Sequence, residues 1–187
     1  KNFKKFGDLI STRKTKPIKI NNGYAKRFDN LCRINTSLKK GNAIMSIFSA
    51  KKRKFPMNIK MMEKHPLGSQ AFIPMKETTF LVFVAPEGEK PDLNKIESFI
   101  VPPGIGVNYK IDIWHFPLLS TEDMNFLVVD RKGSGENLDI FNLDKFILEG
   151  NFKFDNLDGI IIGKKIAETL NVKIGDQVYL FDLVKII

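Results

Sequence analysis

Thiol chemistry is almost missing from this sequence. Cys32 is the one cysteine among 187 residues, which excludes an internal disulfide and a thiolate-held metal cluster. Histidine is scarce too: His65 and His115 are the only two, so a cage of three histidines is excluded, and neither H-x-H nor H-E-x-x-H occurs. No apolar run approaches the 18 or so residues that cross a bilayer. The opening KNFKKFGDLI lacks the long apolar stretch of a secretory signal, so the expected location is the cytoplasm and no membrane partner is expected. Gly133-Ser134-Gly135 is too short for the G-x-S-x-G nucleophile elbow. No G-K-[ST] follows it, which weakens serine-hydrolase and nucleotide-hydrolase readings. No internal repeat is visible.

Acidic residues are nearly missing from the first third of the chain. Residues 1–60 carry 17 Lys and Arg against Asp8 and Asp29, a balance of +15, while residues 61–187 carry 13 against 19, a balance of −6. The densest basic stretches, 13–19 and 51–54, lack the interleaved aromatics of a single-strand platform. A solvated lysine-rich face is the plain reading; attraction of a small anionic substrate comes next, and nucleic acid last.

What is present is the composition of an ordinary folded chain, with 43% hydrophobic and 27% charged residues. The length fits one domain, or one domain with an appendage. Residues 42–50, 78–85, 96–101 and 126–130 are short runs rich in Ile, Val and Phe, and they read as strands. Turn-formers such as Asn22-Gly23, Pro86 to Gly88 and Pro102-Pro103-Gly104 separate them. The spacing predicts a mainly β protein, a sandwich or barrel. Short helices are expected at residues 2–9 and at 92–97, the latter capped by Asp92. After about residue 145 the texture changes to strand, helix (161–170), turn and strand, a small α/β C-terminal extension.

Each histidine precedes or nearly precedes a proline, in His65-Pro66 and His115-Phe116-Pro117. They are either turn histidines bonded to backbone or a pair facing a barrel mouth, suited to proton transfer or metal ligation. Gln70 and Phe72 share one face if residues 69–74 are extended. Asn108 and Tyr109 read as polar groups in a glycine-containing turn. Asp130 and Arg131 end an apolar strand and read as an internal ion pair in preference to a substrate clamp.

Several motifs stand in a fixed order: FGDLI, INNG (Ile20–Gly23), HPLGSQAFIPMK (His65–Lys76), KPDL (Lys90–Leu93), GVNY (Gly106–Tyr109) with WHFPL (Trp114–Leu118), and FLVVDR-GSG (Phe126–Gly135). In order and spacing they resemble the ureidoglycolate lyase family of allantoin degradation in purine catabolism, over about residues 3–144. The resemblance implies a cupin-type antiparallel β-barrel, usually a homodimer, that cleaves (S)-ureidoglycolate to glyoxylate and urea. It implies His65, His115, Tyr109 and Lys76 as catalytic residues. Gln70, Phe72, Asn108, Trp114 and Arg131 would bind substrate. His65, Gln70 and His115 would hold a divalent metal such as Ni, Mn or Zn; in a metal-free version one histidine would act as base, with Tyr109 or Lys76 as donor. The alternative is a cupin that acts on or senses another small hydroxy or ureido acid.

Two positions depart from the family's habit. Phe116 stands where many relatives carry a second histidine, and Ser49 where relatives commonly carry an arginine. The substrate carboxylate would then fall to Lys51, Lys76 or Arg131. The lyase domain is expected to span 1–146, with 147–187 an extension dispensable for activity. Within that extension, Gly159–Leu180 is similar to a periplasmic segment of lipoprotein-releasing ABC transporter permeases.

Overall fold

Phe80–Ala85 is buried at all six positions, although a strand alternates its side chains between two faces. Both faces must therefore be covered. Phe80, Val82 and Val84 join one apolar cluster, while Leu81, Phe83 and Ala85 join a second. This strand is the spine of the architecture, and fully burying each such side chain contributes ~1.5–3 kcal/mol.

The computed structural model describes residues 3–13, 15–54, 57–149, 162–163 and 185–186. Its strands are β1 (Gly7–Ile10), β2 (Ile18–Ile20), β3 (Ala25–Arg27), β4 (Asn42–Ala50), β5 (Met57–Lys64), β6 (Gln70–Pro74), β7 (Phe80–Ala85), β8 (Glu97–Val101), β9 (Gly106–Tyr109), β10 (Trp114–His115), β11 (Leu119–Ser120), β12 (Met124–Lys132), β13 (Asp139–Glu149), β14 (Ile162–Gly163) and β15 (Lys185–Ile186). A five-stranded sheet runs β1-β9-β6-β12-β4. An eight-stranded sheet runs β14-β13-β5-β10-β7-β8-β15, with β11 paired to β7. β2 and β3 form a small hairpin. All pairings are antiparallel except β15 with β8.

The larger of the two apolar clusters lies between the sheets. From the five-stranded sheet it takes Phe72, Val107, Tyr109, Phe126 and Val128; from the other it takes Phe80, Val82, Val84, Phe99 and Val101. The fold is mainly β and cupin-like, as predicted. Its two sheets stack as a sandwich without closing into a barrel among the described residues. Among the described residues no helix is long and apolar enough to cross a membrane.

The strands expected at 42–50, 78–85, 96–101 and 126–130 are all present within two residues of those bounds. Asp92 caps a turn as expected, accepting from the Asn94 amide, but the helix amounts to the single 3-10 turn Leu93–Lys95. Only Phe3–Lys5 is helical in the first stretch, because Gly7–Ile10 pairs with β9 instead. Gly7 approaches β9 so closely that a Cβ there would stand 2.1 Å from the Asn108 carbonyl oxygen. Asn108 and Tyr109 sit in strand β9, with the turn following them. Of the helix expected at 161–170, Ile162–Gly163 is strand; the rest of that helix, the strand and turn that follow, and all but Ile162 and Gly163 of the permease-like segment lie outside the described residues.

Candidate functional site

Strand register brings the two histidines together. His115 pairs with Glu63 across β10 and β5, so both side chains share the inner face of the large sheet. His65, two residues past Glu63, returns to that face. The two imidazole centroids are 5.3 Å apart. Glu63 Oε1 lies 3.6 Å from His115 Nε2.

Each ring is held by its other nitrogen. His65 Nδ1 lies 2.6 Å from the Asn137 carbonyl oxygen, and His115 Nδ1 lies 3.0 Å from that of Ile113. A carbonyl only accepts, so both Nδ1 atoms carry a hydrogen, and in the neutral form of either ring the Nε2 lone pair is the free one. Those two Nε2 atoms are buried with no hydrogen-bond partner among the described residues. The histidines are thus turn histidines bonded to backbone and a facing pair at once.

Glu63, His65 and His115 each offer one ligand atom, and those atoms all lie within 4.8 Å of one another. Two imidazoles, each with its Nδ1–H given to a carbonyl, and a carboxylate make a donor set fit for a divalent cation. The set expected from resemblance had Gln70 in place of Glu63. Gln70 is close by: its amide stands beside both the His65 ring and the Asp130 carboxyl, and its Oε1 is buried without a partner among the described residues.

Burial lowers the His65 pKa, and the neighbouring His115 lowers it further, so the ring is held neutral. Burial pushes the Glu63 carboxyl up, while the proximity of His115, and positive charge on either imidazole when it is protonated, pull it below the usual range, so Glu63 faces the rings as a carboxylate. Burial, followed by the Glu63 charge, raises the Tyr109 hydroxyl and keeps it protonated. Tyr109 stacks on His115 with centroids 4.4 Å apart and planes 17° apart. Phe72 meets Tyr109 edge-on.

Asp130 shares the inner face of β12 with Phe126 and Val128, which places it toward His65 and Gln70. Burial raises its pKa, a shift that His65 and Gln70 only partly offset. It is not ion-paired with Arg131. Adjacent strand residues point to opposite faces, and the Arg131 guanidinium goes to the carbonyls of Leu38, Lys39 and Ser134.

The same alternation separates four other expected site residues from the cluster. Trp114 faces the outer cluster and donates to the Gly88 carbonyl. Arg131 is buried on the outer face beneath the loop at 38–41. Asn108 points away from Tyr109 and donates to the Arg33 carbonyl. Lys76 lies past the end of β6, exposed and paired with Glu122. Lys51 is likewise held by Asp123. Neither family departure faces the site: Ser49 lies on the outer face of β4 with Met45 and Ile47, and Phe116 belongs to the outer cluster.

Sequence reasoning missed Glu63 and the inward role of Asp130. The signal for Glu63 was Glu63-Lys64-His65, an i, i+2 spacing that puts both ends on one face once the segment is known to be extended.

Comparison with known proteins agrees with the motif order. The profile of the ureidoglycolate lyase family matches residues 1–149. A ureidoglycolate lyase of Pseudomonas paraeruginosa is 47% identical over 138 residues, covering 73% of this chain and 82% of that protein. One from Pseudomonas aeruginosa has the same identity and coverage. One from Pseudomonas fluorescens is 44% identical over 138 residues, covering 83% of its length.

Proposed function

The chain belongs to the ureidoglycolate lyase family, and from that premise we propose that it cleaves (S)-ureidoglycolate to glyoxylate and urea at the Glu63, His65 and His115 cluster. The observation that carries this placement is the pair of buried, unpartnered Nε2 atoms facing one carboxylate.

Ureidoglycolate is a carbinolamine bearing a carboxylate. Its cleavage removes the hydroxyl proton, forms C=O, breaks the C–N bond and protonates the departing ureido nitrogen. Glu63, His65 and His115 would hold a divalent cation, Ni, Mn or Zn, with Gln70 Oε1 as a further donor. Such an ion supplies positive charge that acidifies the hydroxyl and balances the substrate carboxylate. Asp130, the carboxylate that burial makes more basic, accepts the hydroxyl proton. Tyr109, held protonated, gives a hydrogen bond to the ureido group, and the proton that Asp130 has taken passes to the departing nitrogen. Phe72, which meets Tyr109 edge-on, is backed from β4 by Phe48 at 6.1 Å.

The test is release of glyoxylate and urea from racemic ureidoglycolate by the purified chain, before chelation, after it, and with Ni²⁺, Mn²⁺ or Zn²⁺ restored. Stereospecific turnover lost on chelation and regained with metal is the expected result. Turnover indifferent to chelation would remove the cation from the scheme, and no turnover in a folded sample would remove the substrate. We take the lyase unit as 1–146, and because β13 runs on to Glu149, a chain ended after residue 149 is expected to keep this activity.

A homodimer is part of the same reading. β4 is an edge strand, nine residues long, with Met45 75% and Ile47 54% exposed. Long apolar edges of this kind invite pairing with another chain. Light scattering is expected to give twice the chain mass, and Ile47→Lys is expected to shift it to the monomer; a monomeric parent protein would refute the dimer.

A further inference from the structure

Lys64 lies between two residues of the site yet faces away from it, and with Arg131 it is one of the buried cations among the described residues. Its Nζ stands 2.8 Å from Asp112 Oδ1, 3.7 Å from Asp139 Oδ2 and 2.9 Å from the Gly88 carbonyl oxygen. The Trp114 ring lies beneath it at 5.0 Å. A buried ammonium persists only where such partners replace water. Removing it would leave two carboxylates beside one another.

Those two carboxylates sit next to the groups that fix the imidazoles. Asp112 immediately precedes Ile113, whose carbonyl holds His115 Nδ1. Asp139 follows by two residues Asn137, whose carbonyl holds His65 Nδ1. Asp112 also donates its amide to the His65 carbonyl oxygen at 3.0 Å, and it does so at φ 66°, a backbone conformation that side-chain-bearing residues seldom adopt. The ion pair with Lys64 and that amide bond hold it there.

We infer that Lys64 is a positioning residue: through Asp112 and Asp139 it holds the two backbone carbonyls that turn the lone pairs of His115 and His65 toward Glu63. The inference rests on the proposed reaction centre for its consequence in turnover, but the ring orientation is testable without turnover. Outer partners of metal-binding histidines commonly change affinity or activity by about 10–100-fold when removed, and Lys64 would act one step further out, on the carbonyls themselves.

The experiment compares the full chain with Lys64→Met, which keeps the apolar stem, and with Lys64→Arg and Asp112→Asn. Three readouts are taken: long-range ¹H–¹⁵N spectra of the imidazoles, Ni²⁺ affinity by calorimetry, and kcat and KM for ureidoglycolate. In Lys64→Met the rings are expected to lose their single Nδ1–H form. Ni²⁺ binding should weaken and kcat fall by about 10–100-fold, with KM within about twofold. Lys64→Arg should restore most of each. If Lys64→Met does not fold, Asp112→Asn, at a partly exposed position, is expected to move the same readouts in the same direction. A folded variant of either kind with unchanged tautomers and unchanged Ni²⁺ affinity would overturn the inference. If the parent chain proves inactive on ureidoglycolate, the proposed reaction falls, while the spectra and Ni²⁺ affinity still decide the role of Lys64.

Discussion

His115→Ala is expected to lower kcat for ureidoglycolate cleavage by roughly 10³-fold or more and to remove measurable Ni²⁺ binding. The ring is fully buried, its Nδ1 is tied to Ile113, and its Nε2 has no role inside the fold except to face Glu63. Losing it takes away a donor, the stacking partner of Tyr109 and the contact that helps keep Glu63 ionised. The structural cost is a cavity, typically a few kcal/mol or less, so circular dichroism should show a folded protein. His65→Ala should behave alike. The double variant should be hardly worse than either single one, since residues acting on one ion as a unit are strongly non-additive. Retention of a tenth of parental activity by His115→Ala would rule out the cluster as the reaction centre.

The second large effect is expected at Asp130. Asp130→Asn keeps the shape and the neighbour Gln70 but cannot accept a proton, and kcat should fall by about 10²–10⁴-fold. Ni²⁺ affinity should stay within about twofold, because Asp130 is not among the three ligand groups. This separates it from Glu63→Gln, which should weaken Ni²⁺ and turnover together. The pH profile gives an independent check with a defined sign. A base must be ionised to act, and burial raises the Asp130 pKa. Activity in the parent should therefore fall as pH drops toward that pKa, from a higher pH than an unperturbed carboxyl would give. In Asp130→Asn that limb should vanish from the residual activity. An unchanged limb would assign it to another group, with Glu63 the first candidate.

Much of this site was visible before any fold. The histidines stood out because only two exist and each sits near a proline, and Gln70 and Phe72 could be placed on one face from i, i+2 spacing alone. Glu63 was hidden because Met57–Lys64 carries mixed polarity: one end of the strand faces the core and its last residues face a polar site, so the apolar alternation that announces a strand is broken. Asp130 was hidden for a related reason. At the end of an apolar strand, beside an arginine, it looks like half of a salt bridge, and only the pairing with β4 and β6 shows that the two side chains leave the sheet in opposite directions.

Composition, turn residues and hydrophobic runs determined by themselves that this is a mainly β protein without the cysteines for an internal disulfide or a thiolate cluster, and the order of its motifs determined the family. These depend on local preference and on residue identity, which a sequence states directly. Which of nine expected site residues meet was decided by tertiary structure. Lys76, Asn108, Trp114 and Arg131 lie away from the cluster, while His65, Gln70, Phe72, Tyr109 and His115 converge with Glu63 and Asp130. Strand register makes that choice, because a shift of one residue sends every side chain to the other face, and register is fixed by pairing between segments far apart in the chain, such as Glu63 with His115 and Gly7 with Tyr109.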